Sequence, residues 1–178
     1  MFRMSPIGRV TRLLLALAVP TAMAWNQPAW AADPRVLPPG DPAAVSLLSA
    51  ERALLDLTNA DRVANGLEPL ELDADTLVIA RERAEDQLDA LSLSHVDANG
   101  QLVFAERLTE AQLSYRLAGE NLARASVQDA SVVQRVEQAL MESPAHRKNI
   151  LEPTFKRVAI GAATDPTGRI AFAEVYRD

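Results

Sequence analysis

The run Val158-Ala159-Ile160-Gly161-Ala162-Ala163-Thr164, the turn sequence Asp165-Pro166-Thr167-Gly168 and the run Ile170-Ala171-Phe172-Ala173-Glu174-Val175-Tyr176 read together as a β-hairpin. Both runs are β-prone, and proline and glycine confine the reversal between them. The periodic segments before this hairpin are helical. Helices first and strands last indicate an α+β domain rather than a parallel sheet, whose strands would alternate with helices.

Working back from the hairpin, Ser126-Val127-Gln128-Asp129 has a capping arrangement that opens a helix with Val133, Val136 and Leu140 inward. Pro144 marks where that helix gives way, which places His146 just past a helix end. Ala118-Gly119-Glu120-Asn121-Leu122-Ala123 is too short to assign by periodicity. Phe104 and Leu108 anchor a short helix, and Thr109-Glu110-Ala111-Gln112 has capping-box spacing for another. Asp73 is positioned to cap a helix whose Leu77, Ala80, Ala84, Leu88 and Leu91 form one apolar stripe, with Arg81, Glu82, Glu85 and Asp86 facing out. His95 then falls in the turn after that helix. The first helix starts near Val45, carries Leu47, Leu48, Leu54, Leu55 and Leu57, and stops at Asn65-Gly66 ahead of Pro69.

The N-terminal residues set the compartment. Arg3, Arg9 and Arg12 flank an apolar run from Leu13 to Ala24, and Ala22-Met23-Ala24 and Ala29-Trp30-Ala31 offer small-x-small cleavage sites. Residues 1–32 therefore read as a signal peptide, and the protein as secreted or periplasmic. The apolar run is shorter than a membrane span and contains Pro20, so no stable membrane anchor is expected after leader removal. Residues 33–44, with Pro34, Pro38, Pro39, Pro42 and Gly40, read as a linker, and residues 45–178 as one domain. The full chain carries net charge −6, and loss of the three leader arginines makes the remainder more acidic. That balance argues against nucleic acid, which requires a basic footprint. With no cysteine, stability rests on a hydrophobic core rather than disulfides.

Only two histidines occur, His95 and His146. Five pieces of sequence, in order, resemble the CAP superfamily (cysteine-rich secretory proteins, antigen 5, pathogenesis-related 1; SCP domains), in its bacterial, cysteine-free branch. They are Asn59 to Leu67 with Pro69-Leu70, Ser94-His95 with Asp97 and Gly100, Phe104 with Arg107, Gly119-Glu120-Asn121-Leu122-Ala123, and Ser143-Pro144 with His146-Arg147, Asn149-Ile150-Leu151, Pro153 and Phe155. The resemblance implies an α-β-α sandwich with a small antiparallel sheet between helical layers. It also implies a ligand-binding cleft formed by His95, Glu120, Asn121 and His146. The chain departs from the family pattern at Leu140, where Trp is usual, and at Ala145, where Gly is usual. A second acid on the helix before His146 is not fixed: Glu142, Glu137, Glu106 and Asp97 are all candidates.

Two imidazoles and a carboxylate suit a borderline divalent ion, zinc first, with water completing the shell. His95, His146 and Glu120 are thus candidate metal ligands and candidate catalytic groups. The alternative is a hydrogen-bonded polar cluster that ties loops together. Calcium is a weaker reading: Asp97, Asn99, Gly100, Leu102 and Glu106 follow EF-hand loop spacing, but His95 stands where that loop needs Asp. An Asx turn explains the same residues. Ser94 and Ser143 lack a nucleophile-elbow context, so hydrolysis of an envelope component would use an activated water with Glu120 as base. Arg62 and Arg107 read as structural arginines, Arg147-Lys148 as complements to a helix end, and Glu174 as facing solvent or the cleft. The expected partner is an envelope or extracellular ligand.

Overall fold

A computed structural model describes residues 48–126 and 131–178. The signal peptide, the linker, the start at Val45 and the cap residues 127–129 lie outside the described residues. In order, the elements are α1 (Ser49–Ala64), β1 (Glu71–Leu72), α2 (Leu77–Asp89), α3 (Val103–Glu110), β2 (Ala118–Ser126), α4 (Val132–Glu142), α5 (Pro144–Ile150), β3 (Arg157–Thr164) and β4 (Arg169–Arg177). The sheet order is β1-β3-β4-β2. The expected hairpin is β3 and β4, antiparallel with Arg157 opposite Arg177, and β2 pairs antiparallel along the other side of β4. The two-residue β1 adds a parallel pair to β3.

Alternation along the strands divides the core into two layers. Val158, Ile160, Ile170, Phe172 and Tyr176 pack against Leu54 and Leu55 of α1, Val133, Val136 and Leu140 of α4, and Ile150 of α5. Ala159 and Val175 face the other way, onto Leu77, Ile79 and Ala80 of α2 and Phe104 and Leu108 of α3. The helices thus cover both faces, the α-β-α sandwich expected from the sequence. The second layer is thin because small residues face α2: a Cβ on Gly161 would come within 2.2 Å of the Ala80 backbone, so α2 lies directly on β3.

Several sequence expectations are corrected. Asp73 does not cap α2, whose N-cap is Thr76. Its carboxylate accepts from Thr76 Oγ1 and from both Nε and Nη2 of Arg177, a buried pair that ties β1 to β4. These bonds hold the Asp73 pKa below its ordinary value against the opposing effect of burial. Leu91 lies beyond α2 and is fully exposed, because the helix ends at Asp89. Arg81 reaches back to Glu51, a buried acid whose Oε2 also accepts from the Leu48 N–H at the start of α1. Thr109 opens no new helix: it sits in the last turn of α3, bonded to Ala105 O. Pro144 does not end helical structure but restarts it at the first position of α5, where a missing N–H costs nothing. His146 consequently rides on a helix.

Candidate functional site

The unassigned segment Ala118–Ser126 forms the edge strand β2, and this decides the geometry of the cleft. Glu120 points to the α2 face and Asn121 to the α5 face. Arg83, on the buried face of α2, donates from Nε to Glu120 Oε1 at 2.7 Å and from Nη2 to Oε2 at 3.3 Å. Both side chains are almost wholly buried. The guanidinium also bonds Asp86 and the Ser94 carbonyl, so every strong donor direction is engaged. Because Arg83 keeps Glu120 ionised, His95 Nδ1 carries its proton toward Oε2, at 2.8 Å. The imidazole is 43% exposed while the carboxylate beneath it is 0% exposed, which leaves Nε2 as the ring nitrogen available to a ligand.

From the other face, α5 approaches β2 so closely that a Cβ on Gly119 would stand 3.1 Å from Asn149 Oδ1. Asn149 Nδ2 donates to the Glu120 carbonyl and to Asn121 Oδ1, which satisfies an outward-facing carbonyl on the edge strand. Asn121 Nδ2 in turn bonds the His146 carbonyl at 3.2 Å. His146 is half-buried, and both desolvation and the charge of nearby His95 lower its pKa. The four residues named from the sequence therefore converge on one sheet edge: His95 directly on Glu120, and His146 through Asn121 with electrostatic contact to His95.

The acid candidates disperse. Glu142 is exposed and accepts from Gln138, and Glu106 is exposed on α3. Asp97 Oδ1 accepts from the N–H groups of Asn99 and Gln101, the Asx turn, and these bonds lower its pKa. Glu137 is buried on the α4 face, away from Glu120. Glu174 is neither in solvent nor in the cleft: it is 1% exposed and accepts from Thr58, Asn121 and Tyr176 in the interior. Burial pushes both acids up, Glu137 to about 9. Ser94 Oγ bonds the Val96 carbonyl, and Ser143 joins α4 to α5. Arg62 donates to the carbonyls of Ile150, Glu152 and Glu68, and Arg107 pairs with Asp86 and Glu82, both structural as expected.

Arg83 is the residue that sequence reading missed. Its position between Glu82 and Ala84, beside the apolar stripe rather than opposite it, was the available signal. Asn149, Thr58 and Tyr176 were missed as well, because each acts through partners remote in sequence.

An α-β-α sandwich with a paired His and Glu at the edge of its sheet defines a class, and sequence comparison identifies it. The family model described as CAP, cysteine-rich secretory protein family, matches residues 55–176, and the chain belongs to that family. It is 34% identical over 116 residues to the uncharacterized protein YkwD of Bacillus subtilis, covering 65% of this chain and 43% of YkwD. The chain thus spans less than half the length of that relative. Among solved structures, it is similar to an extracellular SCP-domain protein from Bacillus anthracis, with TM-score 0.59, 24% identity and coverage of 75% of this chain and 45% of the other. An outer surface protein of Borrelia burgdorferi gives TM-score 0.62 at 17% identity, covering 75% of this chain and 96% of the other. These structural neighbours are extracellular or outer-surface proteins. Among the described residues no helix is long and apolar enough to cross a membrane.

Proposed function

We propose that this is an exported CAP domain whose β2-edge cleft, formed by His95, Glu120, Asn121 and His146, binds a ligand at the cell envelope or outside the cell. The observation that carries the reading is the buried Arg83–Glu120 pair holding an otherwise exposed imidazole by its Nδ1. A surface histidine needs no such support to remain folded, whereas a ring that must present Nε2 in one direction does. The leader at residues 1–32 supplies the export route, and the extracellular character of the structural neighbours supports it.

The donor set fits a divalent metal in a particular way. Both Glu120 oxygens are engaged, so Glu120 serves as the carboxylate behind a histidine ligand rather than as a ligand itself. His95 Nε2 and His146 would hold the ion, zinc in preference to calcium, and water or the ligand would complete the shell. Such an ion would supply Lewis acidity to a bound oxygen. Among the described residues no group of three or more His, Cys, Asp and Glu side chains is arranged as a metal site, which makes the two-imidazole arrangement the one to test.

Calorimetric titration of the protein with Zn2+ is the direct experiment. Saturable binding lost in both His95→Ala and His146→Ala supports the metal-assisted cleft. Binding unchanged in either variant removes that residue from the site, and no binding at all leaves ligand recognition to the imidazoles alone. The second reading, a hydrolase, rests on His95 being held by a buried carboxylate in the manner of a general base with its orienting group. It requires turnover of isolated envelope material that disappears in a folded His95→Ala variant.

A further inference from the structure

The buried acids on the α1 and α4 side of the sheet are one hydrogen short. Thr58 Oγ1 lies 3.0 Å from Glu174 Oε1 and 3.2 Å from Glu137 Oε2, but a hydroxyl has a single hydrogen. Glu174 also accepts from Tyr176 and Asn121, and these donors make it the ionised member of the pair, so the Thr58 hydrogen goes to it by the shorter contact. Glu137, neutral because burial holds its pKa near about 9, then gives its own proton to Thr58. This leaves Glu137 Oε1 as a bare acceptor. Glu137 is only 3% exposed, and among the described residues nothing donates to that oxygen. Its neighbour there, Asp61, is another carboxylate.

Two facing acceptors call for a donor from outside, and both residues line a pocket of about 370 Å3 together with Leu57, Met141, Glu142 and Arg147. With Glu137 neutral, this lining sets two carboxylates, Asp61 and Glu142, against one guanidinium, and Leu57 and Met141 give it an apolar wall. The missing donor is therefore a cation of modest size. The described acids and histidines do not group as a metal site, which favours a nitrogen donor over a metal ion.

We propose that this pocket is a second binding site that takes a primary ammonium on a short aliphatic stem. The ammonium bridges Asp61 and Glu137 Oε1, and the stem lies on Leu57 and Met141. A diamino acid complements the whole lining, because its carboxylate pairs with Arg147 while its two ammonium groups meet the two carboxylates. The site is separate from the histidine cleft, since Glu137 lies on the α4 side of the sheet whereas Glu120 faces α2.

The test is calorimetric and thermal titration of the full chain with L-lysine, Nε-acetyl-L-lysine and L-norleucine. L-Lysine is expected to bind saturably and raise Tm, and both analogues to bind at least about tenfold more weakly, the loss expected for one charge-assisted hydrogen bond. Asp61→Asn should produce the same loss. Glu137→Gln is the sharper variant, because its carboxamide N–H supplies the missing hydrogen to Asp61. It should raise the Tm of the ligand-free protein and abolish the increment due to L-lysine. His95→Ala should leave L-lysine affinity unchanged, which separates this site from the cleft. Absence of saturable L-lysine binding, equal binding of Nε-acetyl-L-lysine, full lysine response in Asp61→Asn, or loss of lysine binding in His95→Ala would each overturn the proposal.

Discussion

Glu120 and Asn121 are consecutive in β2, yet their side chains serve opposite faces of the sheet: Glu120 meets Arg83 on α2, and Asn121 meets Glu174 and the His146 carbonyl beside α5. An edge strand makes this a functional arrangement. Groups from both faces reach around the same unpaired edge, so two histidines held in different layers come within electrostatic range of one another. The buried groups behind this edge set its stability and its response to pH.

Arg83→Met removes the guanidinium bonded to Glu120 and leaves a buried carboxylate with the His95 contact. Breaking one partner of a buried pair costs about 3–5 kcal/mol. Urea denaturation should show a loss of this order, and a loss under about 1 kcal/mol would mean that water reaches Glu120.

Glu137 gives a pH signature. Its folded pKa, about 9, lies above the ordinary 4.5, so between these values the unfolded chain has lost a proton that the folded chain keeps. The associated stability is complete below about pH 4.5 and is lost as pH rises toward about 9. Denaturation midpoints measured from pH 5 to 9 should fall with pH, with a slope of up to about 1.4 kcal/mol per pH unit for this one proton. Glu137→Gln should flatten the slope, and an unchanged profile in that variant would assign it to another group.

His146 works in the opposite sense. Burial and the His95 charge depress its pKa, so it contributes stability that is present above the unfolded histidine value and lost as pH falls through the folded one. Its ring should be neutral at pH 7, and ligand or Zn2+ binding should weaken on acidification. NMR titration of the ring protons checks this: a His146 midpoint above that of an unfolded control would reverse the sign.

Gly161→Ala probes the seat of α2. The added methyl would lie 2.2 Å from the Ala80 carbonyl carbon and oxygen, backbone atoms that cannot rotate away. Overpacking of this kind costs about 1–3 kcal/mol, and because Arg83 is carried on α2 the shift should also reach His95. Thermal melts would register the loss, and a changed His95 NMR signal would report the displacement. A variant with wild-type Tm would show that α2 can lift freely from β3.

Most of the fold was legible in the sequence because its signals are local. The hairpin runs and their Asp-Pro-Thr-Gly turn, the helical stripes, and the stop at Asn65-Gly66 each depend on neighbours within a few residues. Glu120 and Asn121 were named before their strand was recognised, through the family pattern rather than periodicity. Local reasoning failed where a distant partner outcompeted a near one: Asp73 left its expected cap for Arg177, and Pro144 restarted a helix it was expected to end.

By itself, then, the sequence determined the α+β order, the family and the pair of histidines, since these reside in patterns of adjacent residues. Only the tertiary structure decided which acid does what. Glu120, Glu137 and Glu174 are chemically identical in the sequence, but one is ionised against Arg83 beneath His95, one is kept neutral by burial, and one is surrounded by three donors in the core. A carboxylate's charge depends on the donors and the solvent that surround it, and those are assembled only when residues far apart in the chain are packed together.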